Sequence, residues 1–405
     1  MTPGPGAGAS DLAKLCRSVL GASWAEGERA GVPFGYTRPS PTRYPWQWYW
    51  DSCFAAIVWR RFEPERSRSE LESLLRASRE DGFVGHVIFW DQPLSFRRRT
   101  YYNVDRRSSP MTGTIQPPLL AWAWRIAVGD PAAEPRIAQH HEWLLANRDL
   151  EGDGLLWLIQ PDESGLDSSP KFDPVWGWRS HARWGFPVLV AGSRRYGWDA
   201  RRIRDAGRPV LCEVVTNVLW GLSRLACGEE SITPALVDRL WDERSGLFLD
   251  EASGGARPLV DTWAAMAPLA LPDLPEEIGR RMIEERLLDP ERYWLRHPPP
   301  SVSALEPSFE PNRGPGWKLR YWRGPTWVNA AWMLWMGMVR LGYVDEAAEM
   351  VRRLVPMVER EGLREYYDPR TGEGLGAREF AWSSLILEMA EPDLELAARS
   401  YLPAA

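Results

Sequence analysis

The spacing of apolar residues constrains this chain more than any other feature. In twelve segments (11–21, 51–62, 67–80, 113–128, 134–147, 179–195, 209–227, 234–242, 275–286, 326–342, 345–360 and 381–398) they recur at i, i+3 and i+4, which places them on one face of a helix. Strand-like alternation is nearly absent. The punctuation agrees: Asp130-Pro131 parts two helices, Pro234 falls in the first turn of another, and Gly342 closes the helix before Asp345. Twelve helices paired as two concentric rings predict an all-α (α/α)6 toroid, with the long loops 35–50, 86–112, 151–178 and 297–325 collected at one end. An irregular bundle or a solenoid has the same helix count, but no fixed-length repeat supports a solenoid. No linker divides the chain. Residues 11–405 therefore read as one domain behind a disordered Gly/Pro-rich segment, 1–10, with 86–112 as an insertion or lid loop.

Several function classes are excluded early. Cys16, Cys53, Cys212 and Cys227 share no CxxC spacing and sit among apolar neighbours, so they read as free buried thiols of a reducing compartment. The N-terminus lacks a basic stretch followed by an apolar one, and no run of eighteen apolar residues occurs, so neither a secretory signal nor a membrane span is expected. A net charge of -6 without a lysine-rich block argues against nucleic acid as partner. A cytoplasmic monomer or homo-oligomer is the expectation. The unusual count is 24 tryptophans. Indole faces stack on the C–H faces of sugar rings, so an aromatic pocket for a carbohydrate is one account of them, and a tryptophan-rich core is the other.

The sequence has no Gly-rich phosphate loop, no GxSxG elbow and no HExxH, and its five histidines lack metal-ligand spacing. No metal or cofactor is expected, and carboxylates remain as the reactive groups. Four clusters stand out. Residues 160–173 hold four acids in a Gly/Ser/Pro loop ahead of Trp176 and Trp178; they miss EF-hand spacing, and burial among aromatics would raise one carboxyl as a general acid requires. Glu365 precedes two tyrosines and the turn Asp-Pro-Arg-Thr-Gly, as an exposed helix-end residue or as a base. Tyr44 to Ser52 carries five aromatics before a helix, which Asp51 and Ser52 could cap. Residues 320–327 interleave arginine and tryptophan before another helix, suited to an anion or to Arg–Trp stacking.

Together the motifs WYWDS (48–52), ESGLDSSPKFD (163–173), RYWRGPTWVN (320–329) and EYYDPRTGEGLG (365–376) resemble glycoside hydrolase family 63 and the wider (α/α)6 group with trehalases, over nearly the whole chain. The resemblance implies an inverting, metal-independent α-glycosidase. It puts the general acid on Asp167 and the general base on Glu365. Asp51 would bind sugar hydroxyls and, ionised, stabilise the transition state; Tyr44, Trp48 and Trp50 would wall the same subsite. His86 and Gln116 are further sugar-binding candidates, Trp322 belongs to the matched aromatic cluster, and Tyr366 would orient the base. The short chain looks most like compact bacterial members that hydrolyse mannosylglycerate or glucosylglycerate. Arg320, Arg323 or an arginine within 97–99 or 106–107 would then hold the aglycone carboxylate. Alternatives left open are a trehalase-type activity on a small disaccharide, a phosphorylase or epimerase on the same toroid, a carbohydrate-binding scaffold and a helical-repeat interaction protein.

Overall fold

The computed structural model describes residues 7–90, 102–104, 111–311, 321–390 and 401. Its centre is a ring. Six segments, Tyr49–Trp59, Leu120–Ala127, Val214–Ala226, Trp263–Ala270, Val328–Arg340 and Ala381–Leu385, each pack on the next, and the last returns to the first. They are apolar around most of their circumference. In Tyr49–Trp59 and Trp263–Ala270 every residue is buried. A helix without a polar face must be covered on all sides, which selects these segments for the inside. The bore is filled by rings: Trp332 stacks on Trp122 at 5.3 Å and meets Phe54 edge-on at 6.2 Å.

Amphipathic helices cover the ring from outside. Pro64–Ala77 lies on Tyr49–Trp59, Thr233–Leu240 on Val214–Ala226, Glu276–Met282 on Trp263–Ala270, Val344–Glu361 on Val328–Arg340, and Ala7–Ser23 on Ala381–Leu385. Val344–Glu361 shows the rule most clearly, burying Ala347, Met350, Leu354, Met357 and Val358 on a single stripe. A large apolar side chain moved in this way from water to the core contributes about 1.5–3 kcal/mol. No helix among the described residues is long and apolar enough to cross a membrane.

Several expectations are corrected. Ala7–Ser10, read as disordered, already belong to the helix Ala7–Ser23. The chain is helix-rich rather than all-α, with eleven short strands among the described residues. The longest pair, Trp24–Arg29 with Val32–Thr37, turns through Ala30 (φ 50°) and Gly31 (φ 80°), both left-handed as a two-residue hairpin requires. Its first strand buries only Ala25, so its sequence carries no alternation to read. The helix expected from 113 starts only at Leu120, because Pro117 and Pro118 would fall in its interior, where each lacks the N–H that bonds the carbonyl four residues back. The helix expected over 209–227 begins at Val214 after a two-residue strand, with Glu213 as its cap. That expected over 179–195 is split, a short turn at Gly177–Ser180 preceding Gly185–Arg195. Trp263–Ala270, a 3-10 segment of the ring, was not foreseen. Of the four cysteines, Cys227 is exposed. Most of the proposed lid, 91–101 and 105–110, lies outside the described residues.

Candidate active site

The chain approaches four ring segments through aromatic loops. Trp48, Trp50 and Asp51 open Tyr49–Trp59, Gln116 precedes Leu120–Ala127, Trp322 and Trp327 precede Val328–Arg340, and Phe380 and Trp382 open Ala381–Leu385. These residues converge on one inner cavity, which Asp167 and Glu365 also line. Its aromatic wall is continuous. Trp322 stacks on Trp327 with centroids 4.0 Å apart and planes within 6°, and Trp382 contacts both Trp327 (5.5 Å) and Trp50 (5.4 Å). A second, outer cavity shares Tyr44, Trp48, His86, Asp167 and Tyr321 with the first. Asp167 thus stands at the junction, while Glu365 borders the inner cavity alone.

The acidic loop shows why one of its four acids is distinct. Glu163 is fully buried and accepts two bonds from the buried Arg148 (2.8 and 2.6 Å) plus the N–H groups of Ile115 and Ile159. Asp173 pairs with Arg323 at 2.6 Å and accepts from Ser180. Asp162 accepts from the Asn103 amide at 3.0 Å. Lys171, held between Glu213 and Asp250, ties the same loop to the ring. Asp167 has none of these partners among the described residues. It is exposed by surface area, yet that surface faces the two cavities, where protein encloses it. This desolvation, and the nearby charge of Glu365, lift its carboxyl to about 7.

Glu365 lies on the strand Arg364–Tyr367, paired with Gly374–Arg378. It is buried, accepts the Ala377 N–H at 2.8 Å through Oε2, and accepts the Tyr44 hydroxyl at 3.1 Å through Oε1. Burial raises its carboxyl, and the guanidinium of Arg43, the Ala377 N–H and Tyr44 oppose that rise. Gly376 (φ 67°) lies against it, and a Cβ there would sit 2.5 Å from Oε2.

Asp51 does not cap a helix. It sits inside Tyr49–Trp59, after Trp48 at the cap position, with Oδ1 buried and without a hydrogen bond. Burial pushes its carboxyl well above the usual range, which suits a hydrogen-bonding partner of hydroxyls better than a fixed negative charge. His86 lines both cavities; burial drives its imidazole down to about 3, so it is neutral, and its Nε2 has no partner. Gln116 lines the inner cavity and accepts the Trp50 N–H at 2.9 Å. Arg323 is not at the cavity: Asp173 and the Ser168 carbonyl (2.9 Å) engage it, which corrects its reading as an anion ligand. Arg320 and the arginines at 97–99 and 106–107 lie outside the described residues. Tyr366 rests on Trp327 at 4.7 Å rather than bonding Glu365; the hydroxyl on Glu365 is that of Tyr44. Sequence reasoning missed Arg43, Tyr321, Trp327 and Trp382. Tyr321 and Trp327 stood inside a quoted motif, while Arg43 carried no signal beyond its place beside Tyr44.

Comparison with known proteins agrees with this layout. A model of the mannosylglycerate hydrolase MGH1-like glycoside hydrolase domain matches residues 44–383. A mannosylglycerate hydrolase of Thermus thermophilus is 30% identical, over 87% of this chain and 95% of that protein. The glucosylglycerate hydrolase of Mycolicibacterium hassiacum is 27% identical, over 86% of this chain and 92% of its own length. Among solved structures, the family 63 mannosylglycerate hydrolase from a second strain of Thermus thermophilus, in complex with Tris and D-glycerate, is similar with a TM-score of 0.76 at 27% identity, covering 93% of this chain and 99% of that one. Neutral trehalase from Saccharomyces cerevisiae, at 16% identity and a TM-score of 0.55, shares the fold alone, covering 96% of this chain and 82% of its own. Ring, cavity, paired acids and sequence agree: the chain belongs to the mannosylglycerate hydrolase MGH1-like family of glycoside hydrolases.

Proposed function

We propose that the protein hydrolyses 2-O-mannosylglycerate or 2-O-glucosylglycerate with inversion at the anomeric carbon. Asp167 is the general acid and Glu365 the general base. One observation carries this reading: Asp167 borders both cavities and Glu365 only the inner one. A hexose in the inner cavity and glycerate in the outer one would put the scissile oxygen at the shared wall, beside Asp167. Protonated at mildly acidic pH, Asp167 gives its proton to the departing glycerate oxygen as the C1–O bond breaks. Glu365, ionised, takes a proton from the water whose oxygen forms the new bond to C1 on the opposite ring face. Inverting pairs leave roughly 6.5–9.5 Å between carboxyls to admit that water. Trp322 and Trp327 supply apolar wall to the inner cavity, and Asp51 Oδ1 and His86 Nε2 offer unpaired atoms to the sugar hydroxyls. In the same reading, the six ring segments form the inner ring of an (α/α)6 barrel, five of them backed by the outer helices named above, and residues 11–405 form one catalytic domain. The deciding experiment incubates the protein with each glycoside and follows products by proton NMR. Release of glycerate with a first-formed β-hexose is expected; a first-formed α-hexose, or no glycerate from either substrate, refutes the reading.

A further inference from the structure

Arg43 and Tyr321 belong to no motif role assigned above, yet both connect to Glu365, Arg43 by its own charge and Tyr321 through Tyr44. Arg43 Nη2 lies 2.6 Å from the Tyr321 hydroxyl, Tyr321 lies 2.6 Å from the Tyr44 hydroxyl, and Tyr44 lies 3.1 Å from Glu365 Oε1. A second guanidinium nitrogen, Arg43 Nη1, stands 3.7 Å from Glu365 Oε2. We propose that Arg43 and Tyr321 are positioning residues for the base, closing a one-way hydrogen-bond chain that ends on Glu365.

The direction follows from donor chemistry. A tyrosine pair is ambiguous by itself, since either oxygen could donate. Guanidinium can only donate, and an ionised carboxylate can only accept. With Arg43 donating to Tyr321 and Tyr44 donating to Glu365, the single proton left between the tyrosines must run from Tyr321 to Tyr44. Every donor then points toward the carboxylate, and chained bonds of one sense strengthen one another. Arg43 is half exposed and Glu365 buried, so the chain links a solvated charge to an enclosed one. Other charged or titratable groups acting with Glu365 are Arg364, Tyr366, Asp51 and Asp167. Of these only Arg364 favours its ionised form, and Glu365 has no hydrogen bond to Arg364 among the described residues. The effect of Arg43 on Glu365 has the sign this geometry demands.

The inference rests on Glu365 as the base, and its test separates the two. The acidic limb of kcat/KM reports the base in the free enzyme. Arg43→Met and Tyr321→Phe are each expected to move that limb up by about one pH unit, a tenfold loss of rate below it with less change above. The double variant should add little to Arg43→Met, and Arg43→Lys should restore part of the shift. An acidic limb that stays in place in both single variants overturns the proposal, as does a rise in KM alone, which would mark Arg43 as a ligand of the leaving group. Turnover that survives Glu365→Gln would instead sink the assignment of the base itself.

Discussion

Gly376 offers a test of how tightly the base is held. Its φ of 67° lies in the left-handed region, and an added Cβ would stand 2.5 Å from Glu365 Oε2, 2.6 Å from a ring carbon of Tyr366 and 2.7 Å from Glu365 Cβ. Ordinary van der Waals contact begins near 3.4 Å, so in Gly376→Ala the carboxylate must retreat by about 0.9 Å, the difference between 3.4 and 2.5 Å. That movement also breaks the bond from the Ala377 N–H. A displacement near 1 Å of a catalytic group costs roughly 100-fold in rate. The backbone term is small by comparison: a left-handed alanine costs roughly 1–2 kcal/mol, which in a chain of this length lowers Tm by about 2 °C. The assay pairs kcat, from hexose release at saturating substrate, with Tm from circular dichroism. Gly228→Ala is the control, because Gly228 shares the left-handed φ (70°) with nothing within 4 Å. It should lower Tm similarly and leave kcat alone. A Gly376→Ala kcat within threefold of wild type would refute the claim that the glycine exists to admit the carboxylate.

Two further outcomes follow from the same geometry. In the proposed roles Glu365 works ionised, so kcat/KM falls as pH drops through its raised value, and Asp167 works protonated, so it falls again as pH climbs through about 7. A bell with a mildly acidic optimum is expected over pH 4–9, and a rate still flat at pH 9 would contradict the role of Asp167. Arg148→Met leaves the fully buried Glu163 carboxylate without its partner, which costs about 3–5 kcal/mol and should lower Tm by roughly 4–6 °C; a Tm within 1 °C of wild type would refute the claim that this pair holds the loop.

Periodicity made most of the outer helices legible, because a half-buried helix writes its burial into every third or fourth residue. It served the ring less well. Trp263–Ala270 is apolar at every position, so it has no stripe to detect and was not foreseen. Short strands were equally silent, since two residues of ladder, as at Gln47–Trp48, carry no alternation. For the site, Asp167, Glu365, Asp51, Trp48 and Trp50 stood in the motifs, His86 and Gln116 were added as further candidates beside them, and all seven converge on one cavity. Arg323 was misread because an arginine among tryptophans looks the same in sequence whether it awaits an anion or already holds one, here Asp173. Tyr366 was preferred over Tyr44 because it adjoins Glu365 in sequence; its ring packs on Trp327 instead, and the hydroxyl that bonds Glu365 comes from Tyr44, 321 positions away in the chain.

The acidic loop suggests why such a site needs more charges than the reaction uses. Inversion requires an acid held still in a wall that excludes water, on a loop with little secondary structure of its own. Hydrophobic packing alone cannot fix such a loop, since its backbone N–H groups still need acceptors. Glu163 accepts the N–H groups of Ile115 and Ile159, which tie the loop to the segments beside it, and is paired with Arg148; Asp173 binds Arg323, which reaches on to the Ser168 carbonyl next to Asp167. Lys171 anchors the far end between Glu213 and Asp250. Each buried pair fixes geometry at little net gain in stability, because desolvation offsets most of its attraction. Asp162 is held by the neutral Asn103 amide rather than by a charge. Asp167 is the one acid of the loop with no side-chain hydrogen bond or ion pair to another residue among the described residues, and its surface opens into both cavities. The paired charges thus fix the wall, and in the proposed roles the carboxyl left without a partner is the one free to give up a proton.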